Sequence, residues 1–141
     1  MTPYAKANDN YLMQKVLGAS PEQLVALLLE GAQRFVSQAS QAISRKDFGA
    51  KGLALNKVSA IIEELEVRLD LEQGGELAQN LFRVYEWWSR EIFEAGVHLD
   101  AQRLERVSVQ MGDMRQTWEQ AHQKRVSAPA ASAFKAGDLV G

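Results

Sequence analysis

The chain has 141 residues, 46% hydrophobic and 24% charged, which suits one globular domain closed around a single core. Its net charge of −2 supplies no basic excess to neutralise phosphates, which argues against a nucleic-acid binder. There is no cysteine, so disulfides, thiolate metal sites and cysteine nucleophiles are excluded.

The first residues, MTPYAKANDNY, lack the apolar centre of a signal peptide. The longest apolar run, Leu24 to Leu29, is far below the roughly 18 residues a membrane span needs. The expectation is a soluble, cytoplasmic protein without membrane insertion.

The elements read as helices throughout. The three prolines are Pro3, Pro21 and Pro129, so nothing between the last two forces a helix to break. No alternating strand pattern persists. Residues 1–19 contain Tyr4, Tyr11, Leu12, Met13, Val16 and Leu17, too short for a bundle helix but apolar enough to lie on one. At "ASPEQL", Ser20 suits an N-cap, Pro21 the first helical position, and Gln23 the third position of a capping box.

The first long helix is expected to end near Arg45. One apolar line on it is Leu24, Leu28, Ala32, Phe35, Ala39 and Ala42. A second line, Val25, Leu29, Val36 and Ile43, widens the stripe, which the N-terminal segment could cover.

A second helix is expected over residues 48–71, with Ala54, Leu55, Val58, Ile61, Ile62, Leu65 and Leu69 inward. Leu53, Ala60, Val67 and Leu71 fall on its other side, a narrow seam that suits a partner surface. Gly74-Gly75 marks a turn. A third helix follows over about 76–98, then a fourth capped by Asp100 and running to about Lys124. The fourth presents Leu104, Val107, Met111, Met114 and Trp118. Short connections make this an all-α, antiparallel four-helix bundle. Residues 1–125 form the domain, including an N-terminal cap at 1–19, and the small-residue segment 126–141 reads as a flexible tail.

Neighbouring residues on a helix point about 100° apart, so the adjacent Trp87 and Trp88 cannot share a core face. Leu81, Tyr85, Trp88 and Ile92 cluster on one side, with Ala78 and Gly96 nearby. Trp87 falls near the opposite pole, either stacked beneath Arg83 or Arg90 or free to anchor a partner. If the second and third helices are neighbours, Trp87 and the Leu53–Ala60–Val67 seam would flank one groove.

Catalytic constellations are scarce. "EQAH" (Glu119 to His122) is a single Glu-x-x-His, whereas di-metal bundles need two such pairs and further inward carboxylates. His98, four residues after Glu94, reads as a helix-end charge pair. Ser20 has no base beside it in sequence. No phosphate-cradling G-x-x-x-x-G-K-[ST] motif is present. A binding protein without metal or cofactor is expected, not an enzyme.

Tyr11-x-x-x-x-Val16 followed by "ASPEQLVALLLEGA" resembles the opening pattern of the flagellar secretion chaperones, the FliS family. "IIEELEVRLDLEQGGELAQNLFRVYEWW" (Ile61 to Trp88) resembles their second signature, and "MRQTW" (Met114 to Trp118) their closing Arg-x-x-Trp. Leu28-Leu29-Glu30 stands where the family usually has Leu-Tyr-Asp, and Trp87-Trp88 replaces smaller residues. The resemblance implies a chaperone, monomeric when free, that binds the C-terminal region of flagellin as it turns helical and wraps around the bundle. It implies protection from premature polymerisation and delivery to a component of the flagellar type III export gate. Tyr11 matches the tyrosine linked to the N-terminal cap and to handover. The expected partner-binding residues are Tyr11, Val16, Leu53, Asn56, Ala60, Val67, Leu71 and Trp87. The alternative is a self-associating helical adaptor bundle.

Overall fold

The computed structural model describes residues 14–124; the expectations for Tyr11 and for the 126–141 tail lie outside that range. Residues 14–17 are helical, and four long helices follow: α1 (Pro21–Ser44), α2 (Phe48–Val67), α3 (Gly75–His98) and α4 (Ala101–Gln123). Helix α1 packs most extensively on α4 and α2, while α3 closes the bundle against α2 and α4. At 1.5 Å per residue the helices are about 30–36 Å long.

The starts and stops are chemical. Ser20 Oγ accepts from the Gln23 backbone N–H at 3.1 Å, and Gln23 Oε1 accepts from the Ser20 N–H at 2.9 Å, a complete capping box. Asp47 and Asp100 cap α2 and α4 by accepting from the Ala50 and Arg103 N–H groups, both at 3.1 Å. Helix α2 stops at Val67, four residues before Leu71. There Asp70 Oδ1 accepts from the Glu72 and Gln73 N–H groups at 3.2 and 2.9 Å, an Asx-type turn that competes with further helix. Gly75, at φ 68°, takes the left-handed conformation that opens α3. Leu99 caps the end of α3 in the same region, at φ 53° and ψ 42°, so α3 and α4 are joined by two residues.

The core follows the expected inward lines of α2, α3 and α4, with Leu55, Ile61 and Met114 only partly buried at its edge. On α1 both lines enter the core. Val25, Leu29 and Val36 are buried together with Ala32, Ala39 and Ala42, whereas Leu28, Phe35 and Ile43 pack at the edge and Leu24 is half-buried. The cause is position, because α1 lies between α4 and α2 and its stripe is divided between them. Lys57 of α2 places its ammonium 5.1 Å from the centre of the Phe35 ring at that edge.

Trp88 is 1% exposed and lies 5.7 Å, centroid to centroid, from the equally buried Tyr85. Its Nε1–H donates to Gln110 Oε1 of α4 at 2.9 Å. Trp87 is 38% exposed. No cation covers its ring among the described residues, and Arg83 donates instead to Asn80 Oδ1 at 2.7 Å. Trp88→Ala is expected to cost about 3–5 kcal/mol in urea unfolding, and Trp87→Ala within about 0.5 kcal/mol of nothing. Equal costs would mean that the helix phase is misassigned.

Glu66 of α2 meets Glu86 of α3 across the α2–α3 seam. Burial first, then hydrogen bonding to and repulsion by Glu86, and repulsion by Glu63, push its carboxyl from 4.5 up to about 7. Burial, and secondarily the charge on Glu66, raises the Tyr85 hydroxyl beside it. Between pH 4.5 and about 7 the folded chain therefore holds a proton that the unfolded chain has released. The resulting stability is fully present below the unfolded value and is lost as pH rises through the folded one. Glu66→Gln should flatten the fall in urea midpoint across that window. Parallel pH profiles for the variant and the parent chain would contradict this assignment.

Candidate partner-binding surface

Helices α2 and α3 meet at Gly96. A Cβ added there would sit 2.8 Å from Leu55 Cδ1, so a larger residue would displace the end of the Leu55 side chain. Lys51 Nζ donates to the Gly96 carbonyl at 2.9 Å and clips the start of α2 to the end of α3. Along this seam runs a groove of about 230 Å³, lined by Leu55, Asn56 and Ser59 of α2 and by Phe93, Gly96 and Val97 of α3. Phe93 and Val97 leave 67% and 59% of their surface to solvent. Large apolar side chains held this open beside a groove suit the apolar face of an incoming helix.

The expected partner residues divide into three groups. Asn56 is exposed and lines the groove itself. Leu53 (67% exposed), Ala60 and Val67 (60%) follow one another by seven residues on the outer face of α2, about 20–60° further from α3 than Asn56. Leu71 lies in the turn after α2 and Val16 in the N-terminal helical turn; both are exposed, and neither extends the seam.

Trp87 does not flank the α2–α3 groove. Glu91, one turn along α3 on the same side, accepts two hydrogen bonds from the Arg103 guanidinium of α4, at 3.0 and 3.2 Å. These bonds, before any other cause, raise the Arg103 pKa. Trp87 therefore sits on the flank toward α4, while Phe93 and Val97 take the flank toward α2. The reason is helical phase, since Trp87 precedes Trp88 by about 100° and Phe93 follows Ile92 by the same angle. Phe93 and Val97 are the residues that sequence reasoning missed. Their only signal is an apolar pair four apart, just outside the core stripe.

Two polar contacts complete the picture. Ser20 Oγ lies 2.9 Å from His122 Nδ1 and ties the start of α1 to the end of α4. The base that Ser20 lacks in sequence is thus supplied by the fold, while Ser20 remains an N-cap. His98 Nε2 is 3.3 Å from Glu94 Oε2, the expected helix-end pair. Among the described residues, no helix is long and apolar enough to cross a membrane.

The family model for flagellar protein FliS matches residues 4–125. The flagellar secretion chaperone FliS of Salmonella typhimurium is 36% identical over 110 residues, 77% of this chain and 82% of its own length. FliSB of Pseudomonas aeruginosa is 35% identical, over 74% of this chain and 83% of its own. FliS of Bacillus subtilis is 31% identical, over 80% and 84%. A solved structure described as a bacterial flagellar chaperone superposes with a TM-score of 0.69, covering 86% of this chain and 98% of the other. At 18% identity that likeness establishes the shared helical fold. The capping box, the Asp70 turn and the buried α3 line all lie within the matched residues, and the chain belongs to the FliS family of flagellar secretion chaperones.

Proposed function

We propose that this protein is a cytoplasmic chaperone for flagellin. It binds the C-terminal region of flagellin, prevents premature polymerisation, and delivers the bound subunit to the flagellar type III export gate. The observation that carries this reading is the open apolar surface of α2 and α3, where Leu53, Val67, Phe93 and Val97 stand exposed beside the Gly96 groove. A disordered segment that folds on binding needs extended apolar tracks rather than one deep pocket.

The client's first amphipathic stretch lies in the groove against Asn56, Phe93 and Val97, and spreads onto Ala60 and Val67. Trp87 serves a separate stretch, which reaches it by wrapping around the bundle. The N-terminal segment with Tyr11 and Val16 covers another part of the bundle surface until the client displaces it. Family membership supports a chaperone without catalytic chemistry.

In calorimetry with a flagellin C-terminal peptide, Phe93→Asp and Val67→Asp should each weaken binding at least about tenfold, because each buries an unpaired charge. Helical circular dichroism should be unchanged. Trp87→Ala should also weaken binding, through the second stretch only. Unchanged affinity for both aspartate variants would remove this face from the site.

The same exposed residues could bury one another in a self-associating adaptor. Light scattering after size-exclusion chromatography separates the two readings. A chaperone gives a monomer that forms a defined complex with the peptide, whereas an adaptor gives a concentration-dependent oligomer that ignores it.

A further inference from the structure

The α2–α3 seam carries its charge unevenly from end to end. Where α2 begins, Lys51 lines the groove, and its ammonium gives one of its three donors to the Gly96 carbonyl at 2.9 Å. The start of α2 and the end of α3 meet there with opposed dipoles that largely cancel, so the lysine decides the local sign. The acidic groups at this end are engaged. Asp47 accepts from the Ala50 N–H at 3.1 Å, and Glu94 Oε2 lies 3.3 Å from His98 Nε2.

Away from Lys51 the groove turns acidic. On α2 its line passes from Asn56 through Ser59 to Glu63 and Glu66, and on α3 from Phe93 through Ser89 to Glu86. Phe93, Ser89 and Glu86 line one shallow depression on α3. Glu66 and Glu86 share a hydrogen bond across the seam, and Glu63 adds its repulsion to theirs. Two carboxyls can hydrogen-bond only by holding a proton between them, and a cation placed there would meet the same need. The arginines nearby have other partners: Arg68 pairs with Glu64 at 3.0 Å, and Arg83 donates to Asn80 at 2.7 Å. About 15 Å of α3 separates Glu86 from Gly96, which matches a bound helix of about three turns.

We infer that this polarity fixes the direction of the client helix: it lies antiparallel to α2, with its N-terminal turn and a lysine or arginine at Glu63, Glu66 and Glu86, and its C-terminal turn at Lys51. A helix is positive at its N-terminus and negative at its C-terminus. Its last carbonyls lack partners within the helix, and the lysine donors that Gly96 does not take suit them. The carboxylates suit the N–H groups of the first turn and a cation beside them. A reversed helix would set carbonyls against carboxylates and N–H groups against an ammonium, so both ends would be repelled. The inference rests on the flagellin reading for the identity of the client. It adds what the exposed Val67, Phe93 and Val97 cannot supply, because an apolar stripe offers the same contacts from either direction.

The absence of cysteine allows single spin labels on the full chain, at the Lys51 end through Phe48→Cys and at the acidic end through Leu71→Cys, both exposed positions. With a ¹⁵N-enriched flagellin C-terminal peptide, the label at 71 should broaden amides at the N-terminal side of the groove-bound helix, and the label at 48 those at its C-terminal side. Reversing two charges together, Glu63→Lys with Glu86→Lys, should weaken the peptide at least about tenfold and remove most of the salt dependence of binding. The shape-preserving pair Glu63→Gln with Glu86→Gln should shift affinity in the same direction by a smaller factor. The opposite pattern of broadening, or the same amides broadened by both labels, would overturn the inference and leave the flagellin reading standing. Unchanged affinity in both double variants would do the same. A parent chain that ignores the peptide and buries this face against a second copy in light scattering would overturn both.

Discussion

The burial of Trp88 sets the rotation of α3, and most of what the surface offers follows from that rotation. The indole is enclosed beside Tyr85, and its N–H is satisfied by Gln110. A buried indole N–H without a partner would be costly, so α3 cannot turn far about its own axis without losing both packing and hydrogen bond. With Trp88 fixed inward, the 100° step places Trp87 toward α4 and carries Phe93 and Val97 toward α2. The two flanks of α3 then have different characters. One is an open apolar edge beside a groove. The other carries a tryptophan next to the Glu91–Arg103 ion pair.

Gly96 converts that rotation into a groove. The missing side chain lets Leu55 approach closely, and the Lys51 hydrogen bond to the Gly96 carbonyl holds the helices at that distance. At the other end of the same seam, Glu66 meets Glu86, a contact that weakens as Glu66 ionises. The α2–α3 interface is thus pinned by close packing and a lysine clip at one end and penalised by like charge at the other. The larger contacts of α1 with α4 and α2 hold the bundle together, which leaves the face formed by α2 and α3 available for a client helix.

Much of the fold was legible in the sequence because it is written in local chemistry. Ser20 and Asp100 sit where helices start, and Gly74-Gly75 sits where α3 begins. The period of Leu81, Tyr85, Trp88 and Ile92 gave the inward face of α3 without knowledge of its neighbours. The end of α2 was less legible, since Asp70 stops the helix by accepting from residues that follow it, and Leu71 looked like one more turn of the seam. Which large side chains of the α1 stripe are fully enclosed was hidden because it depends on which helices lie on either side. The groove was hidden for the same reason. Phe93 and Val97 look like ordinary exposed apolar residues until Gly96 and Leu55 are brought together. Ser20 and His122 stand 102 positions apart, beyond any spacing rule.

The central claim is that the face formed by α2 and α3 receives the flagellin segment. Hydrogen–deuterium exchange of the full chain, with and without a flagellin C-terminal peptide, tests it most directly. The account predicts new protection concentrated on residues 51–67 of α2 and 92–97 of α3. Protection confined to α1 and α4, with α2 and α3 exchanging as in the free protein, would contradict it.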